Sequence, residues 1–217
     1  MPRKVLITMY MTLDGFAALA DGPDDSEADR QFWEAMWTGP MDDVDTLLLG
    51  RRTYEAWAVF WPGLVDSANE HWRAFARFST RVEKVVFSNT LQTATWSNSR
   101  IVRGSVADEI SRLRSLPGKN MIVAGGVQLV QSVLGQDLAD ELCLTVSPSI
   151  IGRGLPLFHM EPTLDHHEDV VPLGAPGRHD FRLLESRAFR SGAVYLRYAT
   201  SERDKSRDLS TRSSGLS

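Results

Sequence analysis

Short apolar runs alternate along this chain with longer segments whose apolar residues recur at helical spacing, and this alternation constrains the fold more than any other feature. Residues 4–11, KVLITMYM, form an apolar run closed by Thr12-Leu13-Asp14-Gly15, which reads as a buried strand ending in a turn. Residues 45–49 make a second strand, leading through Gly50 into a helix from Arg51 to Ala58. The Phe60-Trp61-Pro62-Gly63 group stops that helix, because proline cannot continue it. Trp72, Phe75, Ala76 and Phe78 mark a helix within 66–78, KVVFS at 84–88 a third strand, and 100–103 a short one. Ser105 caps a helix running to 116, with Val106, Ile110 and Leu113 on its apolar side and Pro117-Gly118 as its breaker. MIVAGG at 121–126 is strand into turn, and VQLVQSVLGQ is a helix ending at Gly135. Such an order implies parallel crossovers and an α/β sheet with helices on its faces.

The last third changes character. ELCLTVSPSIIG at 141–152 is a long strand into a turn, and residues 180–199 read as two strands joined around Arg190-Ser191-Gly192. That hairpin would add antiparallel edge strands to a mostly parallel sheet. Between the first two strands, Asp21, Asp24, Asp25, Glu27 and Asp29 surround Gly22-Pro23, and Phe32, Trp33, Met36 and Trp37 then recur at helical spacing, giving a loop followed by a short amphipathic helix. Residues 201–217 carry mixed charges and almost no apolar side chains, so a disordered tail is expected after a single domain covering 1–200. The net charge of −4 gives no global attraction to nucleic acid or an anionic membrane, and any anion site has to be local. The single cysteine, Cys143, excludes an intrachain disulfide and a multi-cysteine zinc site. No signal-peptide pattern opens the sequence, so a soluble, cytoplasmic protein is expected.

Two strand-to-helix junctions carry glycine: Gly50 before Arg51-Arg52-Thr53, and Gly125-Gly126 before Val127-Gln128-Leu129. In a parallel sheet both lie at the carboxyl edge, where free helix amides and the positive end of the helix dipole can hold a phosphate. The plainer reading is that the glycines serve only tight turns and the arginines are solvated. Phe87-Ser88-Asn89-Thr90 also follows a strand and offers short hydroxyl and amide donors. Arginines from one turn and small donors from another suit a ribose phosphate, which makes a nucleotide cofactor the natural ligand. There is no Walker motif, and Gly152-Arg153-Gly154 lacks the third glycine of a dinucleotide fingerprint.

The set Leu13-Asp14-Gly15, Leu48 to Glu55, Val86 to Leu91, Pro117-Gly118-Lys119, Val123 to Gly126 and Ile151 to Phe158 resembles the dihydrofolate reductase superfamily. The likeness is to the branch related to the reductase domain of the bifunctional riboflavin-biosynthesis deaminase/reductase, and it runs from about residue 3 to 199. It implies a mixed, mostly parallel eight-stranded α/β sheet with flanking helices and a C-terminal antiparallel hairpin, binding NADPH across its carboxyl edge. On that resemblance Gly50, Arg51, Arg52 and Thr53 border the adenosine and diphosphate, and Ser88 and Asn89 the 2′-phosphate. Gly125 and Gly126 match the family's glycine pair, often joined by a cis peptide, while Val127, Gln128 and Leu129 supply amides to the diphosphate. Met9, Tyr10 and Ala17 border the nicotinamide.

Hydride transfer to a C=N or C=O also needs a proton source, and Asp14 and Asp29 are the candidate carboxyl groups. Asp14-Gly15 is equally an ordinary turn pair, and Asp29 equally a first-turn helix residue favoured by the dipole. Trp33, Trp37, Trp57, Trp61 and Trp72 are expected in the core or at a subunit interface, with a homodimer as one candidate assembly, and the Gly152-to-Phe158 turn shapes the rim of the site, forms a dimer contact, or carries its glycine and proline for the turn alone. His166-His167-Glu168-Asp169 reads as a solvated loop, because adjacent histidines point apart and no third spaced ligand accompanies them. The expected activity is reduction of a pteridine- or pyrimidine-like heterocycle, 5-amino-6-(5-phosphoribosylamino)uracil reduction being the named case. The competing reading is a nucleotide-binding sensor or scaffold without turnover.

Overall fold

The computed structural model describes residues 2–17, 43–158 and 179–200. The acidic loop and helix read at 21–37, Asp29 included, the histidine pair at 166–167 and the tail from 201 lie outside those residues. Eight strands, β1 (Val5–Thr12), β2 (Val44–Gly50), β3 (Glu83–Phe87), β4 (Ser99–Val102), β5 (Asn120–Ala124), β6 (Glu141–Ser147), β7 (Phe181–Ala188) and β8 (Val194–Thr200), build one sheet. Their order is β4-β3-β2-β5-β1-β6-β8-β7. Neighbours from β4 to β6 are parallel, whereas β8 runs antiparallel to both β6 and β7. Among the described residues the helices are α1 (Arg51–Phe60), α2 (Glu70–Arg81), α3 (Val106–Ser115) and α4 (Val127–Gly135), with a 3-10 turn at Trp61–Leu64. Among the described residues no helix is long and apolar enough to cross a membrane.

The pleat explains why the parallel strands read as unbroken apolar runs. Val5, Ile7 and Met9 of β1 join a cluster with Ile110 and Leu113 of α3 and Leu129, Val130 and Val133 of α4. Leu6 faces the other way, packing with Leu47, Leu49, Val86 and Ile122 against Tyr54 of α1 and Phe75, Ala76 and Phe78 of α2. Both faces are therefore covered, and each fully buried Ile or Leu contributes roughly 1.5–3 kcal/mol. Trp61 is core, with its ring centroid 4.5 Å from that of Phe75, and Trp57 and Trp72 pack beside it. The hairpin turns where expected, with Phe189 N donating to Ala193 O at 2.9 Å and Gly192 at φ 85°.

Buried charge supplements these cores. Glu141 at the start of β6 is only 3% exposed, yet it accepts from Lys4 Nζ at 2.9 Å and from Arg197 Nε at 2.7 Å, joining β1, β6 and β8 at one point. Burial works against this carboxylate, but the bonds from Arg197 and Lys4 outweigh it and hold its pKa below the ordinary 4.5. Lys84, fully buried in β3, donates to Ser79 O in the last turn of α2 at 2.5 Å and to Val82 O just beyond it at 2.8 Å, with its ammonium 4.5 Å from the Trp96 ring centroid. Burial pulls its pKa down to about 8.

Removing the Glu141 carboxylate would leave two cations without their buried partner, so Glu141→Ala should destabilise the fold by about 3–5 kcal/mol in denaturant titrations near neutral pH. Because the folded pKa of Glu141 lies below its unfolded value, its contribution is complete above the unfolded pKa and is lost as pH falls through the folded one. The gap between parent and variant should therefore close in acid; a gap independent of pH would show that the carboxylate charge is not what stabilises the junction.

Candidate functional site

Four parallel strands end together at one side of the sheet. Gly50 is paired with Phe87 of β3, and Phe87 with Val102 of β4, so the segments after all three strands emerge side by side. On the other side of β2 lies β5, which hands the chain to Gly125 and Gly126. The two glycine turns touch: a Cβ on Gly126 would stand 3.6 Å from both N and Cα of Gly50. A Cβ on Gly125 would stand 3.2 Å from Thr53 Cγ2 and 3.3 Å from its Oγ1. Thr53, in the first turn of α1, is thus a wedge against the β5 turn. Both Gly125 and Gly126 sit at φ 84°, where a side chain is disfavoured. The peptide between them is trans, a correction to the cis bond that the resemblance implies; two consecutive left-handed glycines turn the chain here.

The helix N-termini fall into two kinds. Asn69 caps α2 by accepting from His71 N and Trp72 N, and Ser105 caps α3 by accepting from Asp108 N; both helices also carry acids in the first turn. Helices α1 and α4 have glycine caps, no capping side chain among the described residues and no acid in the first turn. In α4 the first helical bond is Val130 N to Gly126 O, so Val127, Gln128 and Leu129 keep amides that no helical carbonyl takes. Leu129 contributes its side chain to the core, while Gln128 is exposed. Opening α1 with Arg51 and Arg52 sets positive charge against the positive end of the dipole, unfavourable by about 0.3–1 kcal/mol per charge unless an anion is present.

The turn after β3 is held from two sides. Arg51 Nη1 donates to Thr90 Oγ1 at 3.1 Å, and its Nε lies 3.8 Å from Glu55. Arg103 donates from Nη1 to Asn89 O at 2.9 Å and from Nη2 to Leu91 O at 2.8 Å. Ser88 Oγ accepts from the amides of Thr90 and Leu91, at 3.2 and 2.9 Å, and so shapes the turn itself. Arg52 is exposed and has no ion-pair partner among the described residues. Sequence reading identified Arg51, Arg52, Ser88 and Asn89 but missed Arg103, whose signal was only its position as the last residue of the strand read at 100–103.

The three residues read as a nicotinamide border divide between faces. Met9 and Ala17 pack on the α3/α4 side with Leu157, whereas Tyr10 points to the opposite face, in register with Thr145 of β6. Beyond β1 the chain folds back and zips onto the loop after β6. Leu13 N donates to Ser149 O and Ala17 N to Leu155 O, each at 2.9 Å, and Leu157 N donates to Gly15 O at 2.9 Å. Asp14 closes this rim, accepting from Ile151 N at 3.1 Å and Gly152 N at 2.8 Å. The Thr12 hydroxyl, followed by the Gly152 amide, holds its carboxyl below the usual 3.8. Among the described residues no cluster of His, Cys, Asp or Glu could hold a metal ion.

A mixed eight-stranded sheet with glycine turns at the carboxyl edge and an antiparallel hairpin at one end defines a dihydrofolate-reductase-like fold. Residues 3–195 match the RibD C-terminal domain, and the chain belongs to that family. It is 26% identical over 199 residues to the uncharacterized protein YyaP of Bacillus subtilis (strain 168), covering 90% of this chain and 94% of that one. Among solved structures it resembles a diaminohydroxyphosphoribosylaminopyrimidine deaminase/5-amino-6-(5-phosphoribosylamino)uracil reductase from Thermotoga maritima, with TM-score 0.57 and 17% identity over 92% of this chain and 57% of the other. It also resembles dihydrofolate reductase from Enterococcus faecalis complexed with NADP(H), with TM-score 0.52 and 13% identity over 92% and 97% of the respective chains.

Two local tests follow. Gly125→Ala combines a disfavoured φ with a 3.2 Å contact to Thr53, so it should cost about 1–3 kcal/mol, and adding Thr53→Ala should recover only the contact part. Full recovery would mean that the backbone conformation carries no strain. Asp14→Ala should speed hydrogen exchange at Ile151 and Gly152 near neutral pH, and the parent should approach the variant as acid titrates the carboxylate below pH 3.8. Unchanged exchange would remove Asp14 from the rim.

Proposed function

We propose that the protein is an NADPH-dependent oxidoreductase that reduces a nitrogen heterocycle of pteridine or pyrimidine type. One observation carries the reading: the two helix N-termini that abut each other have glycine at the cap and are, among the described helices, the ones without a capping side chain or a first-turn acid, and one of them opens with two arginines. Such an edge is built to receive a bridging anion, and a dinucleotide diphosphate meets that need. Membership of the RibD C-terminal domain family, and likeness to proteins whose names record uracil-derivative reduction and NADP(H), support the same reading.

When bound, NADPH supplies the hydride, and the chain supplies the rest. Gly50, Gly125 and Gly126 give the backbone room for close approach, and the first-turn amides at Val127, Gln128 and Leu129 hold the diphosphate. Arg51, Arg52 and Thr53 serve the adenosine end, with Ser88 and Asn89 toward the 2′-phosphate. Met9 and Ala17 form an apolar border on one side of β1 and Tyr10 a polar one on the other. Asp14, whose carboxylate is engaged with two rim amides, and Asp29 are the two candidate carboxyl groups for proton delivery, directly or through water. A cytoplasmic address and a small heterocyclic substrate belong to the same proposal, with 5-amino-6-(5-phosphoribosylamino)uracil-type reduction as the first case to try.

The reading is tested by titrating the purified protein with NADPH and NADH, following nicotinamide fluorescence and the rise in Tm. Preferential NADPH binding is expected, and Arg51→Ala should weaken it about tenfold, the size of one charge-assisted bond. Absence of binding by either nucleotide would overturn the reductase reading. NADPH binding without turnover of dihydropterins or ribosylaminopyrimidines would favour the nucleotide-binding sensor instead, for which the engagement of Asp14 with the rim is the supporting observation.

A further inference from the structure

We infer that the heterocycle reduced here carries an uncharged, apolar substituent and not a phosphoribosyl group; this rests on the reductase reading above and narrows its substrate class. Two segments carry the argument, 13–17 after β1 and 149–158 after β6, which continue that parallel pair past its carboxyl end. Sheet order puts β1 next to β5, so this ribbon stands beside the Gly125-Gly126 turn, on the side away from β2. It is laced together: Met11 bridges Ala17, Phe16 bridges Pro156, and the fully buried Leu157 anchors it in the core. Yet it presents Leu13 at 61% exposure, Ile150 at 74% and Leu155 at 56%, with Ile151 and Phe158 exposed as well. Those five are half of the ten large apolar side chains exposed among the described residues, so the patch is a property of this rim and not of the surface at large.

The amide pair on this ribbon best suited to a phosphate is already taken. Successive amides beside a left-handed glycine make an anion-binding concavity, and Ile151 N and Gly152 N, with Gly152 at φ 65°, are such a pair. Asp14 Oδ2 accepts from both, so the chain supplies its own anion there. Arg153 is the one cation on the two segments and Asp14 the one acid. The sequence joined to them is acidic on both sides: Asp21, Asp24, Asp25, Glu27 and Asp29 precede β2 with Arg30 as the only cation from residue 18 to 42, and Glu161, Asp165, Glu168 and Asp169 are accompanied by Arg178 alone from 159 to 178. A phosphate ester laid on the ribbon would exchange water for apolar side chains, whereas an alkyl or aryl group gains by covering Ile150 and Leu155. Ala17, which borders the hydride site in the reading above, is itself part of the ribbon. That continuity favours a substituent of the substrate over a second copy of the chain as the occupant.

The test measures Kd by calorimetry with NADP+ present, and kcat/KM by NADPH oxidation, for dihydropterin, its 6-phenyl derivative and 5-amino-6-(5-phosphoribosylamino)uracil. Parent, Ile150→Ser, Leu155→Ser and Arg153→Ala are compared; all three positions are exposed, so Tm should hold. The phenyl derivative should bind the parent about tenfold or more tighter than either other probe. Ile150→Ser and Leu155→Ser should each weaken it by about threefold or more while changing dihydropterin by less than about twofold, and Arg153→Ala should leave every Kd within about twofold. Tighter binding of the phosphoribosyl probe, weakened by Arg153→Ala, would overturn the inference and leave heterocycle reduction intact. Equal responses of all probes to the two serine variants would do the same, as would a dimer in sedimentation that those variants dissociate, which would give the ribbon to a second copy. Failure of the parent to bind or reduce any of the probes would overturn both the inference and the heterocycle reading.

Discussion

The carboxyl edge depends on the approach of the two glycine turns, where a Cβ on Gly126 would already stand in contact, at 3.6 Å, with the N and Cα of Gly50. It follows from sheet order: because β2 and β5 are adjacent and parallel, the helices that leave them start from neighbouring points. Thr53 then has one place to go, against Gly125, and the first turns of α1 and α4 converge on a common space. Moving either strand by one position would separate these N-termini and dissolve the edge as a unit.

Charge is distributed to match. Several cations away from this edge are matched by acids: Arg3 with Asp45, Lys4 and Arg197 with Glu141, Arg100 and Arg112 with Glu109, and Arg114 with Asp140. At the carboxyl edge Arg52 and Arg103 have no such partners among the described residues, although the whole chain carries a net charge of −4. At α1 the charge of Arg51 and Arg52 stands where a helix dipole of the same sign already points, which helix stability alone would not select.

Much of this was legible in the sequence because it is local. Apolar period, the Ser105 cap, the Pro62 stop and the glycines after 45–49 and 121–124 each act within a few residues, and they located β1 to β6, helices α1 to α4 and the terminal hairpin to within a few positions. What depended on pairing between distant strands was not legible. Lys84 reads as a strand-edge charge until α2 supplies its carbonyls, and Glu141 reads as a surface acid until Lys4 and Arg197 arrive. Arg103 acquires meaning only beside the turn after β3. The sequence places Met9 and Tyr10 side by side, and the pleat of β1 sends them to opposite faces. Asp14 looked available as an acid, and its engagement could be seen only once the loop after β6 was placed against it.

The position of β1 has a consequence for how the chain is made. Of the described strands the earliest in chain order, β1, lies in the interior of the sheet between β5 and β6, and neither partner exists until residues from Asn120 onward have emerged. Until then VLITMYMT is an apolar β segment with both edges open, the kind of sequence that associates with other chains. Assembly of this sheet is governed by long-range closure and is intrinsically slow, so vectorial synthesis leaves its most hydrophobic edge waiting longest. Yield on overexpression should accordingly depend on chaperone supply and growth temperature more than on the final stability of the fold.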